Sequence, residues 1–154
     1  MAGFNDVEIL LVEDNLEDAE LTLRALTKNN LANGVFHVKD GAEALEFLFA
    51  SGAYASRRIE SAPRVVLLDL KLPKVDGLEV LQQVKADKEL KVLPVVVLTS
   101  SREEKDMLKS YQLGVNAYVV KPVDFHEFVN GVKELGIFWA IINEPPPGSI
   151  RKQS

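Results

Sequence analysis

Short apolar runs recur along the chain, and each is followed by a longer segment whose apolar positions return every three or four residues. Residues 7–12, VEILLV, predict a first strand, and Leu16, Ala19, Leu23 and Leu26 after it share one face of a helix. The alternation then repeats, with strands over 35–38, 65–68, 95–98 and 117–120. Helices are predicted over 42–49, over 78–85 with Leu78, Leu81 and Val84 spaced for burial, and over 103–112, where Gly114 stops the helix. A long helix follows Pro122. In Val65-Val66-Leu67-Leu68 odd and even positions are equally apolar, the mark of a strand covered on both faces. Five βα units in this order predict a doubly wound α/β fold: a five-stranded parallel sheet with helices on both faces and the flavodoxin-like strand order 2-1-3-4-5. Residues 51–64 are longer than a usual connection and read as a surface excursion, and residues 144–154, with a PPPG run, read as an irregular tail behind a folded domain over 1–143.

Polar residues gather where the predicted strands end. Glu13 and Asp14 follow the first strand, Asp69 the third, Thr99, Ser100 and Ser101 close the fourth, and Lys121 follows the fifth. In an open parallel sheet that edge is where ligands bind. Each residue also has a local reading: Asp14 or Asn15 caps the first helix, Ser100 with Glu103 fits a capping box, and Lys121 is simply solvated. Their coincidence at one edge favours a site. Three carboxylates at close quarters raise each other's proton affinity unless a cation neutralises them. Oxygen ligands suggest Mg²⁺, which keeps waters and prefers one or two carboxylates plus phosphate oxygens. A phosphoryl group is then the natural reactant, with Asp69 as nucleophile and Lys121 and the Thr99 hydroxyl on the other phosphoryl oxygens.

Composition narrows the choice of partners. The 154 residues, 47% of them hydrophobic, suit one domain, leaving no room for a separate effector. Cysteine is absent and histidine occurs twice, which excludes disulfides and thiolate metal sites. A net charge of −5 argues against broad nucleic-acid binding. No basic leader precedes an apolar core and no run reaches the ~18 apolar residues of a membrane span, so a cytoplasmic protein without membrane contact is expected.

The motifs VEDN at 12–15, LLDLKLPKVDG at 67–77, VVLTSS at 96–101 and NAYVVKP at 116–122 together resemble the receiver domain of two-component response regulators, over about residues 5–140. The resemblance implies that Asp69 is the phosphoacceptor for a histidine kinase. It implies that Glu13, Asp14, Asp69 and the carbonyl of Lys71 hold Mg²⁺, that Thr99 and Lys121 engage the phosphoryl group, and that Tyr118 is an aromatic switch residue. It further implies a cis Lys121–Pro122 bond and a phosphoacceptor with slow autophosphatase activity in place of a multiple-turnover enzyme. Glu13 stands where many receivers have aspartate, and Lys71 where asparagine is frequent, which bears on the lifetime of the phosphorylated state. KDGAEALEFLF, GAYASRR, SYQLGVNAYVVKPVDF and GIFWAIINEPPP resemble, more narrowly, single-domain regulators paired with phytochrome-type histidine kinases.

Two rivals fit less well. An aspartate-nucleophile phosphohydrolase of the haloacid dehalogenase type usually has a second aspartate two residues on as general acid, where this chain has Lys71. A flavodoxin-like or dinucleotide-binding module needs amides and positive charge after the first strand, where VEDNLED supplies acids. In the last helix Ile137, Phe138 and Ile141 add apolar side chains outside the core stripe formed by Phe125, Phe128, Val129, Val132, Leu135, Trp139 and Ile142, so a homodimer through that helix and adjacent surface is expected.

Overall fold

The computed structural model describes residues 7–28, 34–58, 61–100, 103–115 and 117–121. Five parallel strands, β1 (Ile9–Val12), β2 (Val35–Val38), β3 (Val65–Leu68), β4 (Val95–Thr99) and β5 (Ala117–Val120), form one sheet in the order β2-β1-β3-β4-β5. Helices α1 (Leu16–Lys28), α2 (Gly41–Leu48), α3 (Gly77–Ala86) and α4 (Glu104–Gln112) alternate with them. The predicted fold class and strand order are therefore observed. The long last helix, the Lys121–Pro122 bond, the tail and the apolar residues assigned to a dimer contact all lie outside the described residues.

Every residue of β1, β3 and β4 is buried, as apolar runs without alternation require of strands covered on both faces. β2 is the edge strand on its side, and three of its four residues are half-buried. Register fixes the edge that matters: Val12 pairs with Val38 and with Leu68, Leu68 with Val97, and Thr99 with Val120. β1, β2 and β3 thus end level, while β4 runs on to the buried Thr99.

The helices follow the predicted stripes with instructive exceptions. Leu81, Val84 and also Val80 of α3 are buried, with Leu78 half-buried against them. In α1, Ala19 and Leu26 are buried, but Leu16 is 64% exposed. It is the first residue of the helix, and helical spacing alone overstated its burial. Asn15 caps α1, its side chain accepting from the Asp18 amide at 3.0 Å. α4 begins one residue later than predicted, and Glu103 takes the N-cap position that the capping box assigned to Ser100. Its end is marked by Gly114 at φ +96°.

Residues 51–64 are more than a surface excursion. A short 3-10 helix, Gly52–Tyr54, delivers the Tyr54 ring edge-on to Phe36 and Phe47, with centroids 5.9 and 5.2 Å away. The Tyr54 hydroxyl donates to Glu43 at 2.6 Å. Arg57 is buried with its guanidinium 4.1 Å from the Phe47 ring centre, donating to the carbonyls of Phe47 and Ser61.

Candidate functional site

The sheet ladder continues one residue beyond three strand ends, and this extra rung sets the site. The Glu13 amide donates to the Val38 carbonyl at 3.1 Å, the Asp69 amide to Val12 at 3.1 Å, and the Lys121 amide to Thr99 at 2.8 Å. The backbones of Glu13, Asp69 and Lys121 are thereby held to the sheet at its carboxyl edge.

Their side chains meet there. Lys121 Nζ lies 2.5 Å from Glu13 Oε1, 2.8 Å from Asp18 Oδ2 and 2.9 Å from Asp69 Oδ2. An ammonium carries three N–H donors, and three carboxylates take them. The second oxygens are also used: Glu13 Oε2 accepts from the Asn15 amide at 3.2 Å, and Asp69 Oδ1 from the Lys71 amide at 3.2 Å. Behind Glu13, His37 Nε2 stands 2.7 Å from the Glu13 carbonyl oxygen. A carbonyl can only accept, so Nε2 carries the proton in this contact.

Burial makes this charge arrangement costly. Glu13 and Asp69 are 3% and 5% exposed, whereas Asp14 is exposed. The Glu13 carboxyl is pushed up from 4.5 to about 7, chiefly by burial, with the Asp69 charge adding and the Lys121 hydrogen bond opposing. Burial lowers the proton affinity of Lys121, but its hydrogen bonds to Asp18, Glu13 and Asp69 outweigh that and hold its pKa above the ordinary lysine value.

One ligand oxygen from each of Glu13, Asp14 and Asp69 lies within 4.8 Å of the others. Three convergent carboxylates, two of them buried and one raised in pKa by its surroundings, fit a hard divalent cation. The same cluster can present Asp69 as a nucleophile beside a fixed ammonium.

The structure thus brings together Glu13, Asp14, Asp69 and Lys121 as the sequence predicts, and puts Thr99 at the same edge on the neighbouring strand. Tyr118, half-buried on β5, packs against the core and pairs in register with Val97. Lys71 contributes its amide to Asp69, but its side chain reaches α4, where Nζ stands 3.5 Å from the buried carboxylate of Asp106. Two contacts were not foreseen: Asp18 on Lys121, and His37 on the Glu13 carbonyl. Asp18 is one of two acids in the first turn of α1, a position that has an ordinary reading at a helix N-terminus and so gave no specific signal.

A parallel doubly wound sheet that presents an acid cluster, a hydroxyl and a lysine at its carboxyl edge defines a phosphoryl-receiving class of signalling domain. The chain belongs to the response regulator receiver domain family, which it matches over residues 9–133. It is 41% identical over 138 residues to the probable methanogenesis regulatory protein FilR2 of Methanothrix harundinacea, covering 90% of this chain and 86% of that protein. It is 39% identical over 131 residues to the response regulator Rcp1 of Synechocystis sp., covering 85% of this chain and 87% of Rcp1. Among solved structures it is similar to the bacteriophytochrome response regulator RtBRR, at 60% identity and TM-score 0.79 over 93% of this chain and 86% of that one. A crystal structure of Rcp1 in its Mn(2+)-bound form is similar at 37% identity and TM-score 0.74, over 91% and 99% of the two chains. No helix among the described residues is long and apolar enough to cross a membrane.

Proposed function

We propose that this response regulator receives a phosphoryl group from a phosphohistidine of a histidine kinase onto Asp69. The observation that carries the assignment is the Lys121 ammonium 2.9 Å from Asp69 Oδ2, inside a cluster of carboxylates able to hold a metal. A carboxylate oxygen of Asp69 bonds to phosphorus as the phosphorus–nitrogen bond to the kinase histidine breaks, and the imidazole leaves with the electron pair. Lys121 and the Thr99 hydroxyl meet the phosphoryl oxygens, limiting the charge that builds up in transfer.

Glu13, Asp14 and Asp69, with the carbonyl of Lys71, are the groups that would hold Mg²⁺. When bound, that ion supplies the positive charge that four acids and one lysine lack. The Mn(2+)-bound form of Rcp1 supports a divalent ion at a site of this kind. Turnover as a phosphomonoesterase is disfavoured, because the residue two past Asp69 is Lys71 and its ammonium faces Asp106. After transfer, Thr99 moves toward the phosphoryl group and Tyr118 turns inward into the space it leaves, altering the surface of α4 and β5.

Likeness to the bacteriophytochrome response regulators RtBRR and AtBRR supports a phytochrome-type kinase as the partner. Output runs through protein contacts in the cytoplasm. The receiver domain spans residues 1–143, with 144–154 as a tail, and two copies pair through the last helix and adjacent surface.

Mass spectrometry tests the assignment. Wild type incubated with a small acyl phosphate and Mg²⁺ gains one phosphoryl group, and Asp69→Asn gains none. Equal labelling of the mutant moves the acceptor elsewhere, and labelling that persists in chelator removes the metal from the reaction.

A further inference from the structure

Asp18 stands outside the set of carboxylates that can hold a metal, yet it takes one of the three N–H donors of Lys121. Its backbone is fixed on both sides. The Asp18 amide donates to Asn15 Oδ1 at 3.0 Å, and its carbonyl accepts from the hydroxyl of the buried Thr22 at 2.9 Å. The carboxylate is therefore aimed from the rigid first turn of α1 onto an ammonium that is 9% exposed. The other two carboxylates on that ammonium, Glu13 and Asp69, are metal ligands in the proposed reaction and have a competing claim on their oxygens.

From this partition we propose that Asp18 is the positioning residue for Lys121. With Glu13 and Asp69 committed to the metal, Asp18 keeps hold of the ammonium. Two N–H donors are then free and pointed at the place where phosphoryl oxygens arrive beside Asp69. Asp18 touches neither the phosphoryl group nor the metal and acts only through Lys121. This inference rests on the function proposed above. A plainer role exists for an acid in a first turn, stabilising the positive end of the helix dipole. That role does not depend on Lys121.

A double-mutant cycle between Asp18→Asn and Lys121→Ala separates the two. In the wild-type background, Asp18→Asn should slow labelling by saturating acyl phosphate about tenfold, since loss of orientation is felt in the rate constant. In the Lys121→Ala background it should change nothing further. Calorimetric titration should give the same Mg²⁺ affinity for wild type and Asp18→Asn. Urea unfolding in Mg²⁺ supplies a readout independent of the reaction: the effect of Asp18→Asn on the unfolding equilibrium constant should differ at least about fivefold between the two backgrounds. Equal effects in both backgrounds overturn the proposal in favour of the dipole role, and a tenfold loss of Mg²⁺ affinity overturns it in favour of a metal ligand. If wild type takes no label on Asp69, the proposed function fails, and the unfolding cycle still decides whether Asp18 holds Lys121.

Discussion

Replacing Glu13 by glutamine should remove a pH dependence of stability that the metal-free protein carries. The Glu13 carboxyl is raised in the folded chain from 4.5 to about 7, first by burial and then by the Asp69 charge, against the Lys121 hydrogen bond. A folded pKa above the unfolded one means that the folded state binds the proton more tightly. The associated stability is fully present below pH 4.5 and is lost as pH rises through about 7. That interval corresponds to about 3 kcal/mol, at about 1.4 kcal/mol per pH unit. Glutamine is neutral throughout, so the variant lacks this slope. It keeps an oxygen for Lys121 but cannot also accept from the Asn15 amide with its NH₂ group, which costs about 1 kcal/mol at every pH. The difference between the two proteins therefore carries the information, because their other titrations cancel. Urea unfolding in chelator at pH 4.5 should find Glu13→Gln slightly less stable than wild type, and at pH 8.5 more stable by about 2 kcal/mol. A gap between the proteins that stays constant across this range refutes the raised carboxyl. Adding Mg²⁺ at pH 8.5 should stabilise wild type more than the variant, since only wild type offers the third carboxylate.

Other substitutions probe the frame and the output. A Cβ at Gly77 would fall 2.3 Å from the Asp69 carbonyl oxygen and 2.6 Å from Leu70 Cα, both backbone, so Gly77→Ala should cost about 1–3 kcal/mol in urea unfolding; unchanged stability contradicts the packing of α3 on the acceptor loop. Thr99→Ala should still be labelled on Asp69 but should bind its partner like the unphosphorylated protein, and normal activation refutes the Thr99 and Tyr118 switch. Sedimentation at micromolar concentration, with and without acyl phosphate, should find wild type dimeric and Phe138→Asp monomeric; if both are monomeric in either state, the last helix does not pair two chains.

The architecture was legible because burial on both faces leaves little freedom in sequence. Val65 to Leu68 must be apolar at every position, and a run of four such residues between helical repeats fits little besides a central strand. Glu13, Asp69 and Lys121 were legible for the same reason in reverse. A charged residue immediately after a fully buried strand, as Glu13 and Asp69 are after β1 and β3, is costly unless it has partners, and the ladder bond at Lys121, after the half-buried end of β5, holds its backbone at the same edge. Leu16 misled because helical period describes faces and not whether the first residue of a helix is covered.

What stayed hidden is the set of contacts that join different elements, from 10 to 103 residues apart, through residue types that have ordinary local roles. Asp18 reads as a first-turn acid, His37 as a polar residue on an edge strand, and Arg57 as surface charge in a loop. Each becomes specific only through a partner elsewhere: the Lys121 ammonium, the Glu13 carbonyl and the Phe47 ring. Local favourability and long-range function coincide at Asp18, since an acid that suits the helix N-terminus is also within 2.8 Å of the lysine that serves the acceptor. The short connection from β1 to α1 is what places this acid there. Three residues, Glu13, Asp14 and Asn15, separate the two elements, enough to supply two acids and a cap while keeping the first turn of the helix over the sheet edge. Asp18 thereby stands 2.8 Å from Lys121 Nζ, on an ammonium that also meets Glu13 and Asp69, the two carboxylates that the proposed metal site would share.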